Sequence, residues 1–174
     1  MKNKILIIIS LFLICLMIFP VNKEFYKLKE RPGEIKIPNH IKEYVIESTH
    51  SYDIYGIIRH CAKITCDLSE FSFNQNISFN NGTLKGHCVT YARLHSTLCN
   101  IAFKAHNINA QAKPIVGNII MYNININNLL VKIIPKKYEH YFINHDIVEI
   151  TYDNNKILLI DPLEREFFGL EYIY

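Results

Sequence analysis

Apolar and polar positions along the chain divide it into an apolar leader, a helical half and a strand half. Ile5 to Phe19 is an almost unbroken apolar run preceded by Lys2 and Lys4, with Ser10 and Cys15 its only mild exceptions. Residues 1–21 therefore read as a signal peptide or signal-anchor, an apolar helix ahead of the folded part. No small-x-small cleavage site follows the run, which favours an uncleaved anchor. With the lysines held inside, everything after Asn22 is expected on the outer side of the membrane, periplasmic or extracellular. Residues 22–49 read as a stalk and lead-in, polar and charged as far as the helix-breaking Arg31-Pro32-Gly33. The domain proper is expected over residues 50–174.

Helical spacing comes next. Pro38 to Glu47 carries Ile41, Tyr44 and Val45 on one side, and Ser51 to Cys66 carries Ile54, Ile57, Ile58, Cys61, Ala62 and Thr65. Ser69 to Leu84 is rich in Asn, Ser and Gly and reads as a loop. Cys88, Ala92, His95 and Cys99, widened by Tyr91, Leu94, Leu98, Ile101 and Ala102, predict a largely buried helix that ends near His106-Asn107. The pattern then changes to strand signals at Ala110 to Val116, Ile119 to Ile126, Leu129 to Ile134, Phe142 to Tyr152 and Lys156 to Ile160. Helices first and strands afterwards predict an α+β fold, with an antiparallel sheet packed against the cysteine helix.

Composition narrows the chemistry. At 174 residues the chain suits one folded domain, and its +3 charge is dispersed, so no electrostatic footprint for nucleic acid is present. Five cysteines, one of them in the leader, give neither an even disulfide framework nor a zinc spacing. Cys61 and Cys66 point different ways on one helix and read as packed thiols. His87, Cys88, His95 and Cys99 lie too close along one helix to converge on a tetrahedral centre, so neither metal nor cofactor is expected.

Gly86 can turn the backbone tightly just before Cys88, placing that thiol at a helix N-terminus, where unpaired N–H groups and the helix dipole favour thiolate. A free cysteine is otherwise most often a small core hydrophobe. His145 opens one strand and Asp161 closes the next, with Asp153-Asn154-Asn155 as the turn between them. An odd loop keeps the two on one face. With three loop residues, Tyr152 pairs with Lys156, and Asp161 sits opposite Ile147, one diagonal step from His145. His145 would then be the acid and base for Cys88, and Asp161 its orienter. The backbone N–H of Cys88 offers one oxyanion donor, with Gln75, Asn80 and Asn81 as sources of a second. His140 is the alternative to His145, Asp161 before Pro162 could simply end a strand, His95 reads as a core histidine, and His87 is expected to point away from the thiol.

Gly86-x-Cys88 with Tyr91-Ala92 and Leu94, then His145-x-x-Val148-Glu149-Ile150, then Leu159-Ile160-Asp161-Pro162, resembles the transglutaminase-like superfamily of papain-like thiol enzymes from about Ser51 to Pro162. The resemblance implies a Cys88, His145 and Asp161 triad and acyl transfer through a thioester, to water or to an amine, on a peptide or protein substrate. This chain has Ile147 where the family often has an aromatic residue, and His87-Cys88-Val89 where cross-linking members often have Gln-Cys-Trp. A substrate site without that aromatic wall is expected to be less enclosed. The chain also has no clustered acidic loop of the kind that calcium-dependent cross-linking members carry. Hydrolysis is thus the expected outcome, with transamidation, or a non-catalytic binding or scaffold domain on the same fold, as the alternatives.

Overall fold

The buried face of one long helix decides where every other element goes. The structure is a computed structural model that describes residues 23–73, 76–80, 82–121 and 123–163; the expected anchor at 1–21 lies outside them. In chain order the elements are β1 (Lys23–Glu30), α1 (Asn39–Ser48), α2 (Ile54–Asp67), β2 (Ser69–Phe71), β3 (Asn76–Asn80), β4 (Thr83–Gly86) and α3 (Cys88–Ala105). There follow β5 (Ala110–Met121), β6 (Ile124–Asn125), α4 (Ile126–Ile133), a 3-10 helix (Lys136–Tyr141), β7 (His145–Tyr152) and β8 (Lys156–Ile160). The fold is α+β, its main sheet antiparallel in the order β1-β5-β7-β8 with β6 pairing on β5. A small second sheet, β2-β4-β3, leads into α3.

Helix α3 packs against α1, α2, β5 and β7. Tyr91, Leu94, Leu98 and Phe103 are fully buried, as expected of a helix that is apolar nearly all round. Asn100 clamps the helix to the sheet: its side-chain amide donates to the Ala112 carbonyl, and its Oδ1 accepts from the Ala112 N–H, both at 2.8 Å. From the other side comes α2, started by Asp53, whose carboxylate accepts the Gly56 N–H at 2.7 Å. Ile57, Ile58, Cys61 and Ile64 then enter the same core as Val148 and Ile150 of β7 and Leu158 and Ile160 of β8.

Four expectations are corrected. Residues 23–30 are no stalk but an edge strand, paired with β5 from Lys23 opposite Met121 to Glu30 opposite Ile115. Its sequence, Lys-Glu-Phe-Tyr-Lys-Leu-Lys-Glu, is charged because an edge strand keeps most side chains in water. Leu129 to Ile134 is no strand: α4 covers most of it, started by Asn125, whose side chain accepts the Asn128 N–H at 3.0 Å. So short an apolar run cannot be assigned by periodicity alone. Gly117-Asn118 does not separate two strands, because Gly117 lies within β5 where the Tyr26 carbonyl passes; a Cβ there would sit 2.1 Å from that oxygen. Ser69 to Leu84 is not all loop, since it forms β2, β3 and the start of β4.

Gly86 is required by a close approach to the first turn of α3. A methyl group there would lie 2.0 Å from Thr90 Oγ1 and 2.6 Å from Thr90 Cβ. Gly86→Ala is expected to lower stability by about 1–3 kcal/mol through overpacking. Urea denaturation reads this directly, and an unchanged midpoint would mean that the turn relaxes freely.

Candidate active site

Two backbone devices assemble the site: the start of α3 and the turn that sets the β7 and β8 register from the far end of the hairpin. Extended backbone at His87 (φ −116°, ψ −161°) precedes α3, and the His87 carbonyl accepts the Thr90 and Tyr91 N–H groups at 2.9 and 3.2 Å, so the helix starts at Cys88. The Asp153-Asn154-Asn155 turn runs through left-handed φ values of 36°, 59° and 72°, which Asp and Asn tolerate best among non-glycine residues. This three-residue loop pairs Tyr152 with Lys156 and Val148 with Ile160. The strand ends then bring His145 and Asp161 together.

His145 Nε2 lies 2.5 Å from Asp161 Oδ2, and the other Asp161 oxygen accepts the Leu163 N–H at 3.0 Å. Asp161 is 1% exposed, so its charge is held by these partners rather than by water. Just beyond it, the Cys66 thiol donates to the Pro162 carbonyl at 3.7 Å, tying α2 to the end of β8. With Nε2 occupied by Asp161, Nδ1 is the ring nitrogen left for Cys88. Burial pushes the His145 pKa down, but the Asp161 charge and hydrogen bond, followed by those of Cys88, hold it well above its ordinary value.

Cys88 is 6% exposed, and burial pushes its thiol up. Hydrogen bonds from His145 and His87 and the His145 charge outweigh that burial, and the Cys88 pKa falls to about 7. The thiolate thus gains population as pH rises through about 7, beside a histidine whose pKa Asp161 raises. A thiolate beside an imidazolium can attack a carbonyl carbon, and the imidazolium can protonate the leaving group.

His87 does not point away. Its Nδ1 is 3.7 Å from Cys88 Sγ, and its ring meets Tyr141 edge-on at 5.4 Å between centroids. His95 is a core histidine, with Nε2 donating to the Ile58 carbonyl at 3.1 Å. His140 is exposed and packs on the Tyr141 ring at 3.8 Å, while His145 takes the place beside Asp161. Gln75 and Asn81 lie outside the described residues, as does the side chain of Asn80. Among the described residues, no three His, Cys, Asp or Glu side chains converge to hold a metal ion.

The stretch before Cys88, with Phe71, Phe73 and Phe79, is a place where the sequence leads one to expect substrate contacts, but two features of the site were not legible in it. The first is an apolar cleft of about 210 Å³ in which His87, His145 and Asp161 meet Phe71, Phe73 and Phe142. Tyr141 and Leu130 also line it, and Phe73 packs 4.9 Å from Tyr141 and 6.4 Å from Phe142. Asn127 braces this wall: its Oδ1 accepts the Ile119 N–H at 2.8 Å and its Nδ2 donates to the Phe142 carbonyl at 3.1 Å. The phenylalanines were visible in the sequence, but Phe71 reaches the site through the small second sheet and Phe142 through the 3-10 helix before β7. The second feature is Asp146, 2% exposed, paired through both oxygens with Arg31 and 3.9 Å from Cys88 Sγ.

No family model, curated protein or solved structure matches the chain. Cys88 is expected to alkylate with a midpoint near pH 7, followed by peptide mass spectrometry, and His145→Ala should move that midpoint upward because burial then acts with less opposition. Asp161→Asn should shift it the same way but less. A midpoint that stays put in His145→Ala would dissolve the pair.

Proposed function

We propose that the chain is a thiol-dependent acyl-transfer enzyme of the transglutaminase-like kind, hydrolysing peptide or amide bonds outside the membrane that its N-terminal segment tethers it to. The observation that carries this reading is the His145 and Asp161 contact at the end of the sheet where α3 presents the helix-terminal Cys88. Cys88 Sγ attacks the substrate carbonyl carbon and the C–N bond breaks, the amine leaving with the proton from His145. The resulting thioester is opened by water, whose proton His145 takes, releasing a carboxylic acid and restoring the thiolate. The Cys88 N–H, one of the helix-terminal groups without an intrahelical partner, is positioned by chain order to steady the oxyanion.

Phe71, Phe73, Phe142 and Leu130 support a substrate with a large apolar or aromatic side chain near the scissile bond. This wall also stands in for the aromatic residue that Ile147 replaces. Water as the acceptor is favoured by the departures already given: His87-Cys88-Val89 stands where cross-linking members often have Gln-Cys-Trp, and the sequence has no clustered acidic loop.

The test is a mixed peptide library incubated in ¹⁸O-labelled water, with new carboxyl groups read by mass spectrometry. Label should enter the product acid, Cys88→Ala should lower turnover by about a thousandfold or more, and peptides with Phe or Leu beside the cut should outrun those with Asp by about tenfold or more. Product diverted quantitatively to an added amine would make the protein a transamidase, and no Cys88-dependent product at all would leave the binding domain.

A further inference from the structure

Asp146 belongs to the row Val148, Ile150 and Tyr152 on β7, the row that packs into the core with α3. It is the charged end of an otherwise apolar face, and it meets α3 at Cys88. Its Oδ2 is 3.9 Å from Cys88 Sγ, close enough to accept the thiol proton that His145 would otherwise take. Alone, a buried carboxylate there would oppose a neighbouring thiolate and hold the sulfur protonated. It is not alone. Arg31 Nε donates to Oδ1, and Nη2 donates to Oδ2 at 3.1 Å, so the guanidinium engages the very oxygen that faces the sulfur.

We propose that Arg31 is a positioning residue for the thiol: it balances and holds the Asp146 carboxylate buried beside Cys88, making the segment that follows β1 part of the reactive centre. The backbone places it for this. Glu30 is opposite Ile115 in the β1 and β5 pairing, and the Arg31 N–H donates to the Pro114 carbonyl at 2.9 Å. The chain then turns at Pro32 and Gly33, where Arg93 of α3 donates to the Pro32 carbonyl at 2.9 Å. Thus α3 carries the thiol at its N-terminus and holds, through Arg93, the segment that delivers Arg31. The charged and titratable groups around the sulfur are His145 and Asp146 from β7 and His87 before α3, with Asp161 behind His145 and Arg31 behind Asp146. Of these, Asp146 alone pushes the thiol up through its charge. A lysine would carry the charge without the two-pronged geometry.

The inference rests on Cys88 as the nucleophile, and its test reads the thiol without requiring turnover. Alkylation of Cys88 against pH is compared in the unaltered protein, Arg31→Met, Arg31→Lys, Asp146→Asn and the Arg31→Met, Asp146→Asn pair. Arg31→Met should slow alkylation at pH 6.5 by about threefold or more and move the midpoint up. Arg31→Lys should recover part of the loss, Asp146→Asn should move the midpoint down, and the pair should return close to the starting value. Arg31→Met with an unmoved midpoint would overturn the proposal, as would a loss that persists undiminished in the pair. If Arg31→Met does not fold, Asp146→Asn decides, because an amide keeps the shape and removes the charge: an unmoved or raised midpoint overturns the proposal. The two readings fail separately. A shifted midpoint without peptide cleavage retains Arg31 and rejects the hydrolase; cleavage with an unmoved midpoint does the reverse.

Discussion

The contact between His145 and Asp161 is the constraint on which the site depends, and it is a product of strand register. Both residues lie at strand ends, where the β7 and β8 pairing no longer holds the backbone by its own ladder. His145 is paired with Gly117 of β5, and its alignment with Asp161 is set by the three-residue turn at the far end, because strands alternate faces with a period of two. One residue added to or removed from Asp153-Asn154-Asn155 would put the histidine and the acid on opposite faces. The rest of the hairpin makes that register expensive to leave, since a one-residue slip of β8 against β7 would take Leu158 and Ile160 out of the core.

Around the thiol, burial and charge work against each other. Burial alone would keep Cys88 as an inert thiol, the commonest state of a packed cysteine. Two histidines reverse that, one from the sheet and one from the residue that starts the helix. The two buried acids are kept apart in role by their partners. Asp161 is held by an imidazole and a backbone N–H, so its charge acts on His145. Asp146 is held by a guanidinium across both oxygens, which restrains a charge that would otherwise act on the sulfur. Two carboxylates near one thiol are compatible with a thiolate only because each has a cation of its own.

Elements with local signals were the legible ones. Cys88, Ala92, His95 and Cys99 announce α3 through spacing alone, and the odd length of the Asp-Asn-Asn turn is enough to align His145 with Asp161. The shape of β1 was not legible, because Lys23 to Glu30 carries the charges of a tether and becomes a strand only when β5 supplies hydrogen bonds from about ninety residues away. Arg31 and Asp146 share that cause. Nothing near either residue announces the other, and Asp146 looks like an ordinary polar position until Val148 and Ile150 show that its row is buried. The α4 helix does carry a local signal, since Asn125 is a capping residue ahead of it, but the apolar run that follows is short enough to fit a strand equally well.

The aromatic wall shows how a local departure can be made good by distant parts of the fold. Ile147 faces away from the core row and is fully buried, so an aromatic side chain there would need space that β5, with Ile115 opposite, does not leave. The rings near the site come instead from Phe71 after α2 and from Tyr141 and Phe142 before β7, segments that flank the chain on both sides of α3. Asn127 satisfies one N–H of β5 and one carbonyl of this wall with a single buried amide, which ties the wall to the sheet rather than leaving it to loop packing. A cleft built this way is tied to β5, and the rings of His87 and His145 line an apolar surface braced by the same strand that receives Arg31.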